Sequence, residues 1–207
     1  MTTHTLALAA LLVVSVPGAA SAQTLAREDL AVERLATLRL SHRGERIDEG
    51  LVLLTFGLAS VVLGGVAAGV GHDDPWWLGA GLGTAGWGAV NAAFSLGMLD
   101  LGGGLARSID DDRLLRGATR EARTRALARD QYASATVLAV NAGLDVFYVA
   151  TGVLLAVIAN LLDTREPALE GYGVAMAAQG VGLLAFDLTV WIRSMERGDE
   201  LLALEAD

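Results

Sequence analysis

The sequence predicts an all-α protein: a transmembrane up-down four-helix bundle built of two helical hairpins, preceded by a signal peptide and an amphipathic segment. Three observations lead there. Apolar runs occupy 51–71, 76–101, 133–162 and 171–192, each long enough to cross a hydrocarbon core of about 30 Å. The charged residues are gathered in blocks between those runs, and the charges well inside them are Asp145 and Asp187. Mean hydropathy is +0.47, and 25 glycines stand against 3 prolines, a balance foreign to an ordinary soluble domain. Because lipid offers backbone groups no hydrogen-bond partner, runs of this length must be helical.

Residues 1–22 read as the signal peptide. Leu6 to Val16 form a short apolar core, Pro17-Gly18 follows, and Ala20-Ser21-Ala22 places small residues ahead of Gln23, where a signal peptidase needs them. The leading Met-Thr-Thr-His-Thr lacks Lys and Arg, so a retained anchor helix is the alternative. Residues 23–50 carry charges of both signs, with Leu25, Val32, Leu35 and Leu38 near helical spacing. They read as an amphipathic helix on a membrane surface or against the bundle, or as a solvated lead-in to the first span.

Residues 51–101 form the first hairpin, with its turn at His72–Pro75, and residues 133–193 the second. Between them, 102–132 is an Arg-rich connector in which Ser108 and Asp111 mark a helix start. Asp110, Asp111 and Asp112 suit an acidic first turn better than a metal site, because consecutive helical residues diverge. An acidic tail covers 194–207. A weak internal repeat relates the hairpins: Trp76 set on Tyr172 carries Gly86 onto Gly182 and Asn91 onto Asp187, while Gly64 matches Gly152. Gly65-x-x-x-Gly69, Gly79-x-x-x-Gly83 and Ala178-x-x-x-Gly182 are the small-residue pairs that let membrane helices approach closely.

Several activities find no support in the residues. All 15 basic residues are arginine, against 24 acidic ones, and the net charge of −9 gives little for nucleic acid to hold. With no cysteine there is no disulfide, thiolate metal site or thiol nucleophile. Gly81-Leu-Gly-Thr-Ala-Gly86 spells a dinucleotide fingerprint, but it follows Trp76-Trp77 inside an apolar run instead of a strand, so close helix packing explains it better. His4, His42 and His72 lack metal-ligand spacing. Trp76, Trp77 and Trp191 stand at run ends, where indoles anchor helices in the interface. No catalytic residue, metal ligand or cofactor is assigned.

The candidate binding or packing cluster is Asn91, Asn141, Asp145, Tyr148, Gln179 and Asp187. On a helix, Asn141, Asp145, Tyr148 and Gly152 fall within about 60° of one another, giving a polar seam on an otherwise aliphatic segment. A carboxyl in a membrane costs at least about 2.5 kcal/mol, so both acids are expected to face the interior with partners. Bland packing hydrogen bonds, a small-ligand or proton site, and a position near an aqueous helix end all fit these residues.

Gly64-Gly65, Trp87-Gly-Ala-Val-Asn91, Asn141-Ala-Gly-Leu-Asp145-Val-Phe-Tyr148 with Gly152, and Gly171-Tyr-Gly173 with Gln179-Gly180 and Asp187 form a recognisable series. In them the chain resembles an uncharacterised bacterial family of small four-helix membrane proteins with a signal-like leader and an N-x-G-L-D-x-x-Y-x-x-x-G motif. Gly88 departs from that pattern, which has Asn there, and Gly and Leu replace a His-containing aromatic segment ahead of Trp87. The resemblance implies an architecture and no activity.

Two topology signals conflict. Arg is dense before the first run and between the second and third, which places those blocks in the cytoplasm by the positive-inside rule; a cleaved leader places them outside, and the Ala-Ser-Ala site favours cleavage. The expectation is a non-enzymatic structural or interaction protein of the cell envelope, in the bacterial inner membrane. Its partners are membrane lipid and either a second copy or an envelope protein, with no nucleic acid. The alternative is a small transporter, channel or proton-linked binding protein using the intramembrane Asp, Asn and Tyr residues.

Overall fold

The computed structural model describes residues 17–99, 118–161 and 165–204, with side chains from Leu30 onward, Ala31 excepted. Among them are four helices and no strand: α1 (Pro17–Val70), α2 (Pro75–Met98), α3 (Arg120–Leu161) and α4 (Pro167–Ala203). The leader core, the expected helix start at Ser108 and the Asp110–Asp112 run lie outside the described residues. Pro17 and Gly18, which follow the apolar leader core in the sequence, are helical in α1.

Helix length separates the membrane-sized parts from the rest. The 54, 42 and 37 residues of α1, α3 and α4 extend about 81, 63 and 55 Å at about 1.5 Å per residue. Each holds a stretch long and apolar enough to cross a membrane. Four such runs were expected. The 24 residues of α2 carry no charge and reach about 36 Å, but with six glycines and three tryptophans α2 holds no stretch apolar enough to join the other three. The charged segment 23–50 is not a separate helix but the first part of α1, α3 begins within the expected connector, and α4 takes in most of the expected tail.

Local chemistry sets the ends. Asp74 caps α2 by accepting the Trp76 N–H at 2.9 Å, and Pro75 fills the first turn. At the start of α3 the Ala122 N–H donates to Thr119 Oγ1. The chain before α4 turns through Arg165 with a left-handed φ of 41°, and the Glu166 N–H donates to the Ala159 carbonyl.

Glycine determines which helix meets which. A Cβ on Gly64 would lie 2.5 Å from the Gly81 carbonyl oxygen, and one on Gly57 would lie 2.5 Å from the Ala92 nitrogen, so α1 and α2 touch backbone to backbone. In α3 and α4 the same is true of Gly152, whose Cβ would stand 2.5 Å from the Ala177 nitrogen and 2.6 Å from the Gly173 carbonyl oxygen. Gly64 thus corresponds to Gly152, as the repeat predicts, but Gly81 corresponds to Gly173. The pairing of α2 with α4 is therefore one helical turn short of the Trp76-on-Tyr172 alignment. In this register Gly57 matches Asp145, and Ser95, not Asn91, matches Asp187.

The tight seams recur every seven residues, at Gly57 and Gly64, Gly81 and Gly88, and Gly173 and Gly180. Of the expected four-residue pairs, Gly79 and Gly83 pack against α4, whereas Gly65 and Gly69 meet nothing within 4 Å. α2 also lies along α4, while α1 touches α4 sparsely. Beyond the end of α2 the other three helices pack on, around a small core of Leu35, Ala128, Leu201 and Leu204.

Candidate functional site

In the apolar part of the helices the usual distribution is reversed. Phe94 is 71% exposed and Val62 62%, while Asn91 is 2% exposed, Asp145 4% and Ser95 0%. Small and polar side chains occupy the seams because glycine spacing brings the backbones too close for Leu or Phe, which are turned outward. The inner groups find one another: Asn91 Nδ2 donates to Gln179 Oε1 at 3.3 Å, and Gln179 Nε2 donates to Ser60 Oγ at 3.0 Å. One chain of hydrogen bonds thereby joins α2, α4 and α1. Ser95 is satisfied within α2 by the Ala92 carbonyl.

The fourth helix enters through Asp145. Its carboxyl lies within hydrogen-bonding reach of the Asp187 carboxyl of α4, and both residues are buried. A hydrogen bond between two carboxyls requires a proton, since two carboxylates can only accept. Asp145 Oδ2 has no partner. Tyr148 rests its ring on Trp87 of α2, centroids 4.8 Å apart. Asn141 departs from the expected inward cluster: it is exposed and makes no hydrogen bond. Five of the six expected residues thus converge in two sets, Asn91 with Gln179 and Asp145 with Asp187, with Tyr148 at the edge. Ser60 belongs with them and was not singled out, because a lone serine in an apolar run carries no signal.

A family description matches residues 52–188 of the chain. The chain belongs to DUF6992, a family of unknown function. No curated protein and no solved structure matches it. The DUF6992 segment opens one residue into the apolar run of α1 and closes one residue past Asp187, so it contains every member of the polar layer. Within it, Gly81, Gly83 and Gly86, which spell the dinucleotide fingerprint, sit on a helix; Gly81 meets α1 and Gly83 meets Tyr172 and Ala175 of α4.

A second polar set that the sequence did not reveal lies largely outside the DUF6992 match, with its α3 members inside it. Arg197 of α4, its side chain 5% exposed, donates to Glu49 of α1 at 3.0 and 3.4 Å, to Glu45 at 3.3 Å and to Ser194 at 3.0 Å. Nearby, buried His42 lies 3.3 Å from Glu200, and Arg46 donates to Ser134 of α3 at 3.1 Å. Tyr132 donates to Asp199 at 2.5 Å, and keeping that donor proton pushes the phenol above its ordinary value. At the start of α3 the Glu121 carboxyl is held below the usual carboxylate range by a backbone hydrogen bond first, then by Thr119 and the neighbouring arginines. These contacts tie α1, α3 and α4 together where α2 no longer separates them. Among the described residues no group of three acids or histidines converges as a metal site.

Proposed function

We propose that this member of DUF6992 is a non-enzymatic integral membrane protein, an up-down bundle of two hairpins, α1 with α2 and α3 with α4, acting in a bacterial inner membrane through contacts with lipid and an envelope partner. The observation that carries the reading is the reversed distribution of polarity: buried Asn, Gln, Ser and Asp, with Leu, Val and Phe exposed over the same lengths of helix. Water would reward the opposite arrangement, and a hydrocarbon solvent rewards this one. A groove of about 620 Å³ between α3 and α4, lined by Val149, Val153, Val157, Val174 and Val181, has the chemistry of an acyl-chain seat.

In this reading the polar layer specifies packing. Lipid is as apolar as Leu, so small-residue contacts and interhelical hydrogen bonds decide which faces meet. The leader is removed after Ala22, and the charged ends of α1, α3 and α4 stand together on one side of the membrane. Alkaline extraction of membranes containing the chain tests the assignment. The protein stays with the lipid pellet after carbonate and leaves it only with detergent; release by carbonate would overturn the reading.

A second reading, a small transporter or proton-linked binding protein, is favoured by one observation: the unpartnered Oδ2 of buried Asp145 beside Asp187. Asp145→Asn separates the two. If the layer only packs helices, the variant assembles and behaves as the parent; if it binds, the bundle survives and the bound species is lost.

A further inference from the structure

Ser134, Asn141 and Tyr148 stand seven residues apart on α3, so neighbours in this series point within about 20° of each other. At one end Ser134 accepts a hydrogen bond from Arg46 of α1, and at the other Tyr148 rests on Trp87 of α2. The face carrying Asn141 is therefore turned toward the first two helices. A residue between two such contacts should be covered, yet Asn141 is exposed and its carboxamide is unpaired. The other three carboxamides of the apolar runs, Asn91, Asn160 and Gln179, are all hydrogen-bonded. α3 thus stands away from α1 and α2 over the roughly 21 Å that separate Ser134 from Tyr148 at about 1.5 Å per residue, and Asn141 lines the opening.

One turn along the same side is Asp145, 4% exposed, beside Asp187 and with its Oδ2 lacking a hydrogen-bond partner. Two carboxylates side by side in a low dielectric cannot both keep their charge without a counter-ion. The helices supply none: α1 from Leu51 to Val70 and all of α2 hold no titratable group, and on α3 and α4 the other titratable side chain near the pair is Tyr148. All candidate donors are oxygens, the ligand type of hard cations, and with only two acids present such a cation keeps part of its water.

We propose that the Asp145–Asp187 pair is an exchange site, holding either a proton or a small hard cation, and that the opening at Asn141 is its route to water. This rests on the second reading of the polar layer. The test uses the full chain in lipid nanodiscs and a hydrophobic carbodiimide, which adds to protonated carboxyls within membranes, with mass spectrometry of the Asp145 and Asp187 peptides as readout. Labelling falls as pH rises, and at fixed pH it falls at least fivefold when Ca²⁺ or Na⁺, tried separately, is added at millimolar concentration. Asp187→Asn leaves Asp145 labelled but removes the protection. Asn141→Leu, which fills the opening from the surface, slows the onset of protection at least tenfold without changing the final level.

Labelling indifferent to both cations at every pH overturns the site, and so does absence of labelling in protein that remains monodisperse and helical. Unchanged protection kinetics in Asn141→Leu overturns the route. Either failure leaves the membrane assignment intact, because carbonate extraction reads that assignment independently.

Discussion

Gly64 and Gly65 are adjacent residues of α1 with opposite surroundings, and replacing each by alanine isolates what the glycine seams contribute. At Gly64 a Cβ would lie 2.5 Å from the Gly81 carbonyl oxygen, whereas at Gly65 it meets nothing within 4 Å. Comfortable contact begins at about 3.5 Å, so Gly64→Ala forces α1 and α2 apart by about 1 Å at this level. The disturbance spreads to the next seam position, because a Cβ on Gly57 already faces the Ala92 nitrogen at 2.5 Å and rigid helices separate together. Overpacking of this kind costs about 1–3 kcal/mol, roughly a 5- to 150-fold shift in the unfolding equilibrium. Gly65→Ala adds a methyl to open space and should fall within about 0.5 kcal/mol of the parent. Reversible unfolding in mixed micelles with increasing SDS, followed by circular dichroism, gives both values. Equal losses, or a larger loss at Gly65, would refute the seam.

Other consequences are as direct. Arg197→Met leaves Glu49 as an uncompensated buried charge and should cost about 3–5 kcal/mol in the same assay, while Arg197→Met with Glu49→Leu should recover most of it; an additive double variant contradicts the pairing. Ser60→Ala removes one intramembrane hydrogen bond and should cost about 0.6 kcal/mol, whereas Gln179→Leu leaves Asn91 and Ser60 both unpaired and should cost about 1–3 kcal/mol; equal effects would exclude the chain of bonds. The Tyr132 phenol ionises above its ordinary value of 10.0 because it donates to Asp199, so its contribution to stability is full below that value and is lost as pH rises through the raised one. Asp199→Asn should return one tyrosine of the ultraviolet titration toward the ordinary value, and an unchanged titration would contradict the bond.

What could be read from the chain, and what could not, follows from contrast. Asp145, Asp187, Asn91 and Gln179 stand out because a polar group in an apolar run has few explanations. Arg197 and Glu49 lie in stretches where charge is everywhere, and only the packing of α1 against α4 shows that these two are buried. Helical spacing placed Asn141 on the face of Asp145 but could not show that Asn141 is left exposed while Asp145 is buried. Along the seams of α1 with α2 and of α3 with α4 the glycine spacing is seven, while of the spacings of four Gly79 and Gly83 serve the contact of α2 with α4 and Gly65 and Gly69 meet nothing within the chain. The slip of one turn in the repeat has the same origin: similar residues were matched by type, whereas the helices are matched by where backbones touch.

The most direct measurement is the sidedness of two single cysteines in this naturally cysteine-free chain, one replacing His72 in the turn between α1 and α2 and one replacing Glu196 near the charged end of α4. Intact cells are treated with an impermeant thiol reagent, then permeabilised and treated again. If the helices cross a membrane as an up-down bundle, only one of the two reacts before permeabilisation and both react afterwards. Reaction at Glu196→Cys puts the charged ends outside, in accord with a cleaved leader, and reaction at His72→Cys puts them in the cytoplasm. Equal reaction of both positions in intact cells, or of neither, would place them on one side of the membrane and contradict the account.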